Sequence, residues 1–233
     1  MAAATQPVGL SRSIEDYLKT IYEIGVDGTP AQTSAIAEAL DVAPPSVSGM
    51  LKRLAEAGLL RHEPYRGVLL TGEGRRAALR IVRRHRILET YLMVKLGYDW
   101  ATVHEEAERL EHAASDQLIE RMAMALGNPR YDPHGAPIPT PAGEVEEPSH
   151  VTIADVPVGA LAELRQVSDK DPDRLRYLAS LGLKPGVVFQ VVGRQPFRGP
   201  VSIRLSGVVP RDQILGHEMA RTLWCDPVEK EVG

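Results

Sequence analysis

Two spaced histidine and carboxylate patterns, His85-xxx-Glu89 and His104-xxx-Glu108-xx-Glu111-His112, constrain this chain more than any other feature. Over residues 72–94 the apolar side chains Ala78, Ile81, Val82, Leu88 and Leu92 recur at helical spacing, and His85 and Glu89 fall inside that stripe. An ionised carboxylate buried without compensation costs several kcal/mol, so Glu89 calls for an arginine or a metal beside it. A second segment starts near Ala101, with Asp99 as N-cap, and sets His104, Glu108, Glu111 and His112 within an arc of roughly 100° on one helix. That arc flanks an apolar stripe of Val103, Ala107, Leu110, Ala114 and Leu118. Packed through their stripes, the two helices would gather six ligand-type groups. A structural zinc site uses about four, so two metal positions are expected. Taken singly, each residue has a plainer reading as a satisfied core histidine or a solvated acid. The two motifs in succession favour metal.

Upstream, Ser13 as a cap followed by Ile14, Tyr17, Leu18, Ile21 and Ile24 predicts an amphipathic helix ending before Gly25 or Gly28. A second helix is predicted from Thr33, and a third from Pro44-Pro45, carrying Val47, Met50, Leu51 and Leu54 inward as far as Ala57-Gly58. Two short apolar strands then flank a turn containing Pro64 and Gly67, which reads as a wing. A winged helix places its second motif helix in the major groove of double-stranded DNA, with short side chains near base edges and basic ones on phosphates. Candidate DNA contacts are Ala43, Pro45, Ser46, Ser48, Gly49, Lys52, Arg53 and, at the wing tip, Arg66. Ser46 and Ser48 are equally readable as exposed helix surface, since a hydroxyl discriminates bases poorly.

The net charge of −4 argues against indiscriminate coating of nucleic acid. Yet between Lys52 and Arg86 ten Lys or Arg face three acids, Glu56, Glu63 and Glu73, a local excess of seven beside the helix-turn-helix. A charged content of 25% and hydrophobic content of 43% suit a globular chain. With no signal-like start and no membrane-length apolar run, a cytoplasmic protein with no membrane partner is expected. The single Cys225 allows no intrachain disulfide and reads as a buried thiol. Met1 to Leu10 lack periodicity and are expected to be mobile.

Four stretches together resemble the metal-dependent repressors typified by the diphtheria toxin repressor and the manganese transport regulator: residues 13–22, the winged helix with Tyr65-Arg66-Gly67, residues 84–89, and residues 103–112. Pro133-His134-Gly135-Ala136-Pro137-Ile138-Pro139 resembles the turn that ends the dimerisation domain of that family. The resemblance implies one metal site from His85, Glu89 and His104, and another from Asp16, Glu108, Glu111 and His112. Asp16 lies off the apolar stripe of its helix and could equally accept a capping hydrogen bond; the resemblance alone makes it a ligand. Iron-type members carry Met and Cys where this chain has Asp16 and Glu108, which shifts the implied cofactor to Mn²⁺, with Fe²⁺ as the alternative. A manganese-type member has a second carboxylate where this chain has Lys19, which argues against a close metal pair there.

Residues 141–149, rich in Pro and Glu, read as a linker. Beyond them, short strands at 187–192 and 201–205, a helix at 172–181 and a turn at 182–186 resemble the SH3-like domain appended to many such repressors. Asp169 and Asp171 stand where that domain donates carboxylates in some members, and are candidate further ligands. The expected architecture is mainly α with a small β domain: a winged helix-turn-helix over 1–73, a helical dimerisation and metal-binding domain over 74–142, a linker over 143–150, and an SH3-like β barrel over 151–227. The expected function is a homodimeric, metal-dependent transcriptional regulator, most simply a repressor of metal homeostasis genes, on a palindromic operator. Tyr91, Leu92, Val94, Leu96, Leu118, Ile119, Met122 and Leu126 would supply the dimer surface. The competing class is a dinuclear metallohydrolase, and the plainest alternative a metal-independent winged-helix regulator. An enzyme would need an open coordination position beside a cleft, and would leave the winged helix without a role.

Overall fold

A computed structural model describes residues 10–25, 28–146, 149–207 and 211–228. The N-terminal stretch expected to be mobile lies, except for Leu10, outside them. The chain forms two compact units: one of residues up to His85 with 109–116 and 139–145, the other of 86–108, 117–138 and 146 onward.

In the first unit, α1 (Arg12–Ile24), α2 (Thr33–Ala39) and α3 (Pro44–Glu56) precede a hairpin of β1 (Leu60–Glu63) and β2 (Gly67–Leu70). The helix starts two residues earlier than Ser13 predicts: Ser11 is the N-cap, and its carbonyl accepts the N–H groups of Ile14 and Glu15. The periodic residues Tyr17, Leu18, Ile21, Ile36, Val47, Leu51 and Leu54 close one core with Leu60, Val68 and Leu79. Val68 and Ala31 exchange backbone hydrogen bonds, which ties the wing to the start of α2. Gly67 makes this possible: its φ is +123°, and a Cβ there would lie 2.2 Å from the Ala31 carbonyl oxygen. The stretch 139–145 packs onto this unit, with Arg83 donating to the Pro139 carbonyl at 2.8 Å and Val145 against the core. The expected linker thus begins as packed chain, and its residues 147 and 148 lie outside the described ones.

Helix α4 (Gly72–Leu96) carries the first motif, followed by α5 (Val103–Leu110) and α6 (Asp116–Ala125). Asp99 acts near the start of α5 as expected, accepting from the Ala101 N–H at 2.9 Å. The single helical arc expected for His104 through His112 is corrected, however. The N–H groups of Ala113 and Ala114 both return to the Leu110 carbonyl, so the helix ends there and Glu111 and His112 sit in a turn.

The second unit holds a six-stranded antiparallel sheet of order β3-β8-β4-β5-β6-β7. Its strands are β3 (Val151–Thr152), β4 (Leu161–Val167), β5 (Val188–Arg194), β6 (Val201–Leu205), β7 (Arg211–Leu215) and β8 (Leu223–Val228). α7 (Pro172–Ser180) buries Leu175 and Leu178 against it, with Trp100, Phe189, Val191 and Ile203 in the same core; a short α8 (His217–Ala220) precedes β8. Cys225 is buried, and burial first, then nearby Asp226 and Asp155, pushes its thiol up to about 12. It is inert at neutral pH.

The turn from Asp132 to Ala136 is pinned from inside. Asp132 Oδ1 accepts the N–H groups of His134 and Ala136 at 2.8 and 3.0 Å, and the His134 carbonyl accepts from Val167 of β4. Gly135, with φ +89°, allows the approach: a Cβ there would lie 1.8 Å from the Arg165 carbonyl oxygen.

Candidate metal centre and DNA-facing surface

The predicted ligands fall into two sets, one in each unit. In the first unit α1 and the 111–114 turn bring Asp16, Glu111 and His112 together, with one donor atom of each within 4.8 Å of the others. Asp16 Oδ1 lies 2.7 Å from His112 Nε2, so the carboxylate and the imidazole face each other. Glu15, which sequence reasoning passed over, accepts from His112 Nδ1 at 2.7 Å and so fixes that imidazole with Nε2 turned to the acids. A ligating histidine is commonly held this way, one nitrogen on a carboxylate and the other on the ion.

Lys19 was read only as a missing carboxylate. It is buried, and its Nζ donates to both Glu111 oxygens at 3.0 and 2.8 Å while lying 3.2 Å from His85 Nδ1. His85 Nδ1 is itself 2.6 Å from Glu111 Oε2. A side chain of this chain therefore neutralises the fully buried Glu111.

In the second unit, Glu89 Oε1 lies 3.1 Å from His104 Nδ1, and Asp169 Oδ2 lies 3.6 Å from the same nitrogen. Glu108 follows His104 by one turn, its Oε1 3.8 Å from His104 Nε2. Asp171 does not join them. It is the N-cap of α7, accepting from the Asp173 and Arg174 N–H groups at 3.0 Å each. The Asp171-Pro172 pair, cap then first-turn proline, is the sequence signal for that role.

Two further groups reach Glu89. His134 Nδ1 lies 3.9 Å from Glu89 Oε2, and Glu89, Asp132 and His134 offer donor atoms within 4.8 Å of one another. Burial first, then Glu89, holds the Asp132 carboxyl well above the usual carboxylate range, against the pull of Arg86. Burial opposes charge on His134, but Glu89, Asp132 and Asp169 outweigh it and raise the imidazole to about 9. The signal for these residues was a turn, which has no periodicity to read.

The donor set is oxygen and imidazole, with buried acids needing positive charge and histidines oriented from behind. Hard to borderline divalent ions fit it.

On α3, Ala43, Pro45, Ser46, Ser48, Gly49, Lys52 and Arg53 are exposed while Val47, Leu51 and Leu54 are buried. Ser48 Oγ donates back to the Pro44 carbonyl at 3.2 Å, which leaves its oxygen outward as an acceptor. Arg66 is exposed on the wing beside Tyr65, which is fully exposed at φ +61°.

A winged helix-turn-helix with a histidine and carboxylate cluster on the helices after it defines a metal-responsive, DNA-binding regulator. The iron dependent repressor N-terminal DNA binding domain matches residues 9–68, the iron dependent repressor metal binding and dimerisation domain matches 71–140, and the FeoA domain matches 151–227. The iron-dependent repressor IdeR of Mycobacterium tuberculosis is 32% identical over 226 residues, covering 92% of this chain and 96% of that protein. The diphtheria toxin repressor of Corynebacterium glutamicum is 33% identical over 192 residues, covering 78% and 84%. Among solved structures, a manganese-dependent transcriptional repressor in complex with manganese is 39% identical with a TM-score of 0.84, covering 92% of this chain and all of that one. The chain belongs to the iron-dependent repressor family of metal-dependent transcriptional regulators. Among the described residues no helix is long and apolar enough to cross a membrane.

Proposed function

We propose that this regulator is switched on by Mn²⁺, with Fe²⁺ the alternative, through two metal sites, and binds a palindromic operator as a homodimer. The observation that carries the reading is the Asp16, Glu111 and His112 group, whose donors converge without a sulfur. Following the family pattern, Glu108 completes that site, and His85, Glu89 and His104 form the other, with Asp169 beside His104 as a further ligand. Carboxylate and imidazole suit Mn²⁺, whereas a thiolate would favour softer ions. Domain limits follow the sequence reading: DNA binding to residue 73, dimerisation and metal binding to 142, and the SH3-like domain from 151.

Fluorescence anisotropy with the DNA upstream of the protein's own gene, for chelated and Mn²⁺-, Fe²⁺- and Zn²⁺-loaded protein, tests the reading. Loading is expected to tighten binding by about 5- to 150-fold, the range of a coupling of about 1 to 3 kcal/mol. Equal binding by chelated protein would overturn it.

Support for the dimer comes from Val94 and Leu96 at the end of α4, Tyr98 after it, and Leu118 and Met124 on α6, all exposed. Leu92 and Ile119, also expected at the interface, are instead buried within their own unit. Leu118→Asp is expected to yield a monomer in sedimentation velocity and to lose operator affinity without a loss of thermal stability. A Leu118→Asp protein that remains dimeric would place the interface elsewhere.

A further inference from the structure

We infer that Lys19 is an internal competitor of the activating metal: its ammonium holds the Glu111 carboxylate in the metal-free protein, and so raises the metal concentration at which the Asp16, Glu111 and His112 set fills. Lys19 is 6% exposed on α1, in a helix that also buries Leu18, Ile21 and Tyr22. A lysine is almost never buried this far without a partner. Its partner here comes from the turn after α5: Nζ donates to Glu111 Oε1 at 3.0 Å and to Oε2 at 2.8 Å, and lies 3.2 Å from His85 Nδ1 of α4. An ammonium set among two carboxylate oxygens and an imidazole nitrogen stands where those groups would otherwise draw another cation.

The competition is for one atom. Glu111 Oε1 lies 3.4 Å from His112 Nε2, which is itself 2.7 Å from Asp16 Oδ1. The metal set and the ammonium therefore meet on Oε1. Oε2 offers no alternative, since Lys19 donates to it and His85 Nδ1 faces it at 2.6 Å. The helix places both claims side by side: Asp16 and Lys19 are three residues apart on α1, so they share a face, the acid meeting His112 and the ammonium meeting Glu111. Charge works in the same direction. Asp16 and Glu111 bring two negative charges to the set, and Lys19 offsets one of them before any ion arrives. Arg84 adds positive charge from behind, its Nη1 3.3 Å from Glu15, the acid that holds His112. A divalent ion must then be accepted beside a fixed positive charge, at a carboxylate with 0% exposure, where water screens the repulsion poorly. The same ligands without Lys19 would fill at a lower concentration.

The inference rests on the reading of Asp16, Glu111 and His112 as a metal set, and the experiment separates the two. Free Mn²⁺ is followed by its electron paramagnetic resonance signal as it is titrated into wild type, His112→Gln, Lys19→Gln, Lys19→Met and Lys19→Arg. The equivalent that His112→Gln loses is assigned to this set. Its dissociation constant is expected to fall about tenfold or more in Lys19→Gln and Lys19→Met, which remove the charge. It is expected to stay near the wild-type value in Lys19→Arg, which keeps the charge. Gln retains an N–H donor that Met lacks, so the pair separates loss of charge from loss of a hydrogen bond, and circular dichroism of the chelated variants reports their folding. An unchanged or raised constant in either folded neutral variant overturns the inference, and so does an equal fall in Lys19→Arg. A His112→Gln protein that binds as many equivalents of Mn²⁺ as wild type overturns instead the metal reading of the set itself.

Discussion

Lys19→Met is expected to cost about 3 kcal/mol of stability in chelator-treated protein and much less in protein saturated with Mn²⁺. Removing one partner of a buried ion pair costs roughly 3 to 5 kcal/mol, because the other charge is left in a poor solvent. Here the partner left behind is Glu111, which is fully buried and accepts from Lys19 at each of its two oxygens. The lower end of the range applies because His85 Nδ1 still lies 2.6 Å from Glu111 Oε2. A divalent ion beside Glu111 would replace the missing charge, so the penalty should shrink as metal is added. The companion variant Glu111→Gln leaves the ammonium without its counter-charge and should also destabilise. The double variant, with neither charge, should lie close to wild type, giving a large coupling in the cycle. Denaturant titration of the four proteins, with chelator and with Mn²⁺, measures this. A Lys19→Met penalty of the same size in both conditions would mean that Lys19 and the metal do not share Glu111.

That ion pair also marks how far the sequence could be read. Periodicity located the helices because it depends on neighbours three and four residues apart, and it returned α2 and α3 to within a residue or two. Spacing likewise exposed His85, Glu89, His104, Glu111 and His112 as unusual, since such groups seldom sit together on an apolar stripe. It did not reveal that Lys19 reaches Glu111, 92 positions away, or that Glu15 holds His112, because pairing across a fold leaves no local pattern. On the sequence alone the six groups look short of compensation. In the structure Glu111, His112 and Glu89 each have a partner from another element.

The end of α5 shows a different limit. Glu111 and His112 were placed on a continuous helix, yet the chain turns at Leu110, and the turn is what directs both side chains to α1. The residues from Ala113 to Asp116 contain no glycine or proline to announce a stop, and the tertiary pairing decides the matter. Asp132 and His134 were hidden for the opposite reason: they lie in a Pro- and Gly-containing turn, where only the fold shows which side chains point inward. Asp171 is legible as a cap from its neighbour Pro172. An aspartate directly before a proline that opens a helix is first of all a cap.

Exchanging Asp16 for Met and Glu108 for Cys together should invert the metal ranking of operator binding, lowering the Mn²⁺ response while keeping or raising the response to Co²⁺ or Fe²⁺. These two positions are where the chain departs from iron-type members of its family, which carry the sulfur residues. Carboxylate oxygen holds a hard ion with little preference for those later in the divalent series, whereas thiolate and thioether add a soft component that favours them. Asp16 is close enough to act, with Oδ1 2.7 Å from His112 Nε2. A tenfold change in relative activation corresponds to about 1.4 kcal/mol, a modest demand on two exchanged ligands. Glu108→Ala separates ligand loss from ligand softness: it should weaken activation by every metal, because a donor is removed and none is supplied. An alanine variant that binds operator at wild-type Mn²⁺ concentration would make Glu108 a solvated acid beside His104. A double exchange that leaves the ranking unchanged would move selectivity to the groups behind the ligands. In the first unit those are Glu15 on His112 and Lys19 on Glu111, which set where the ligand atoms point.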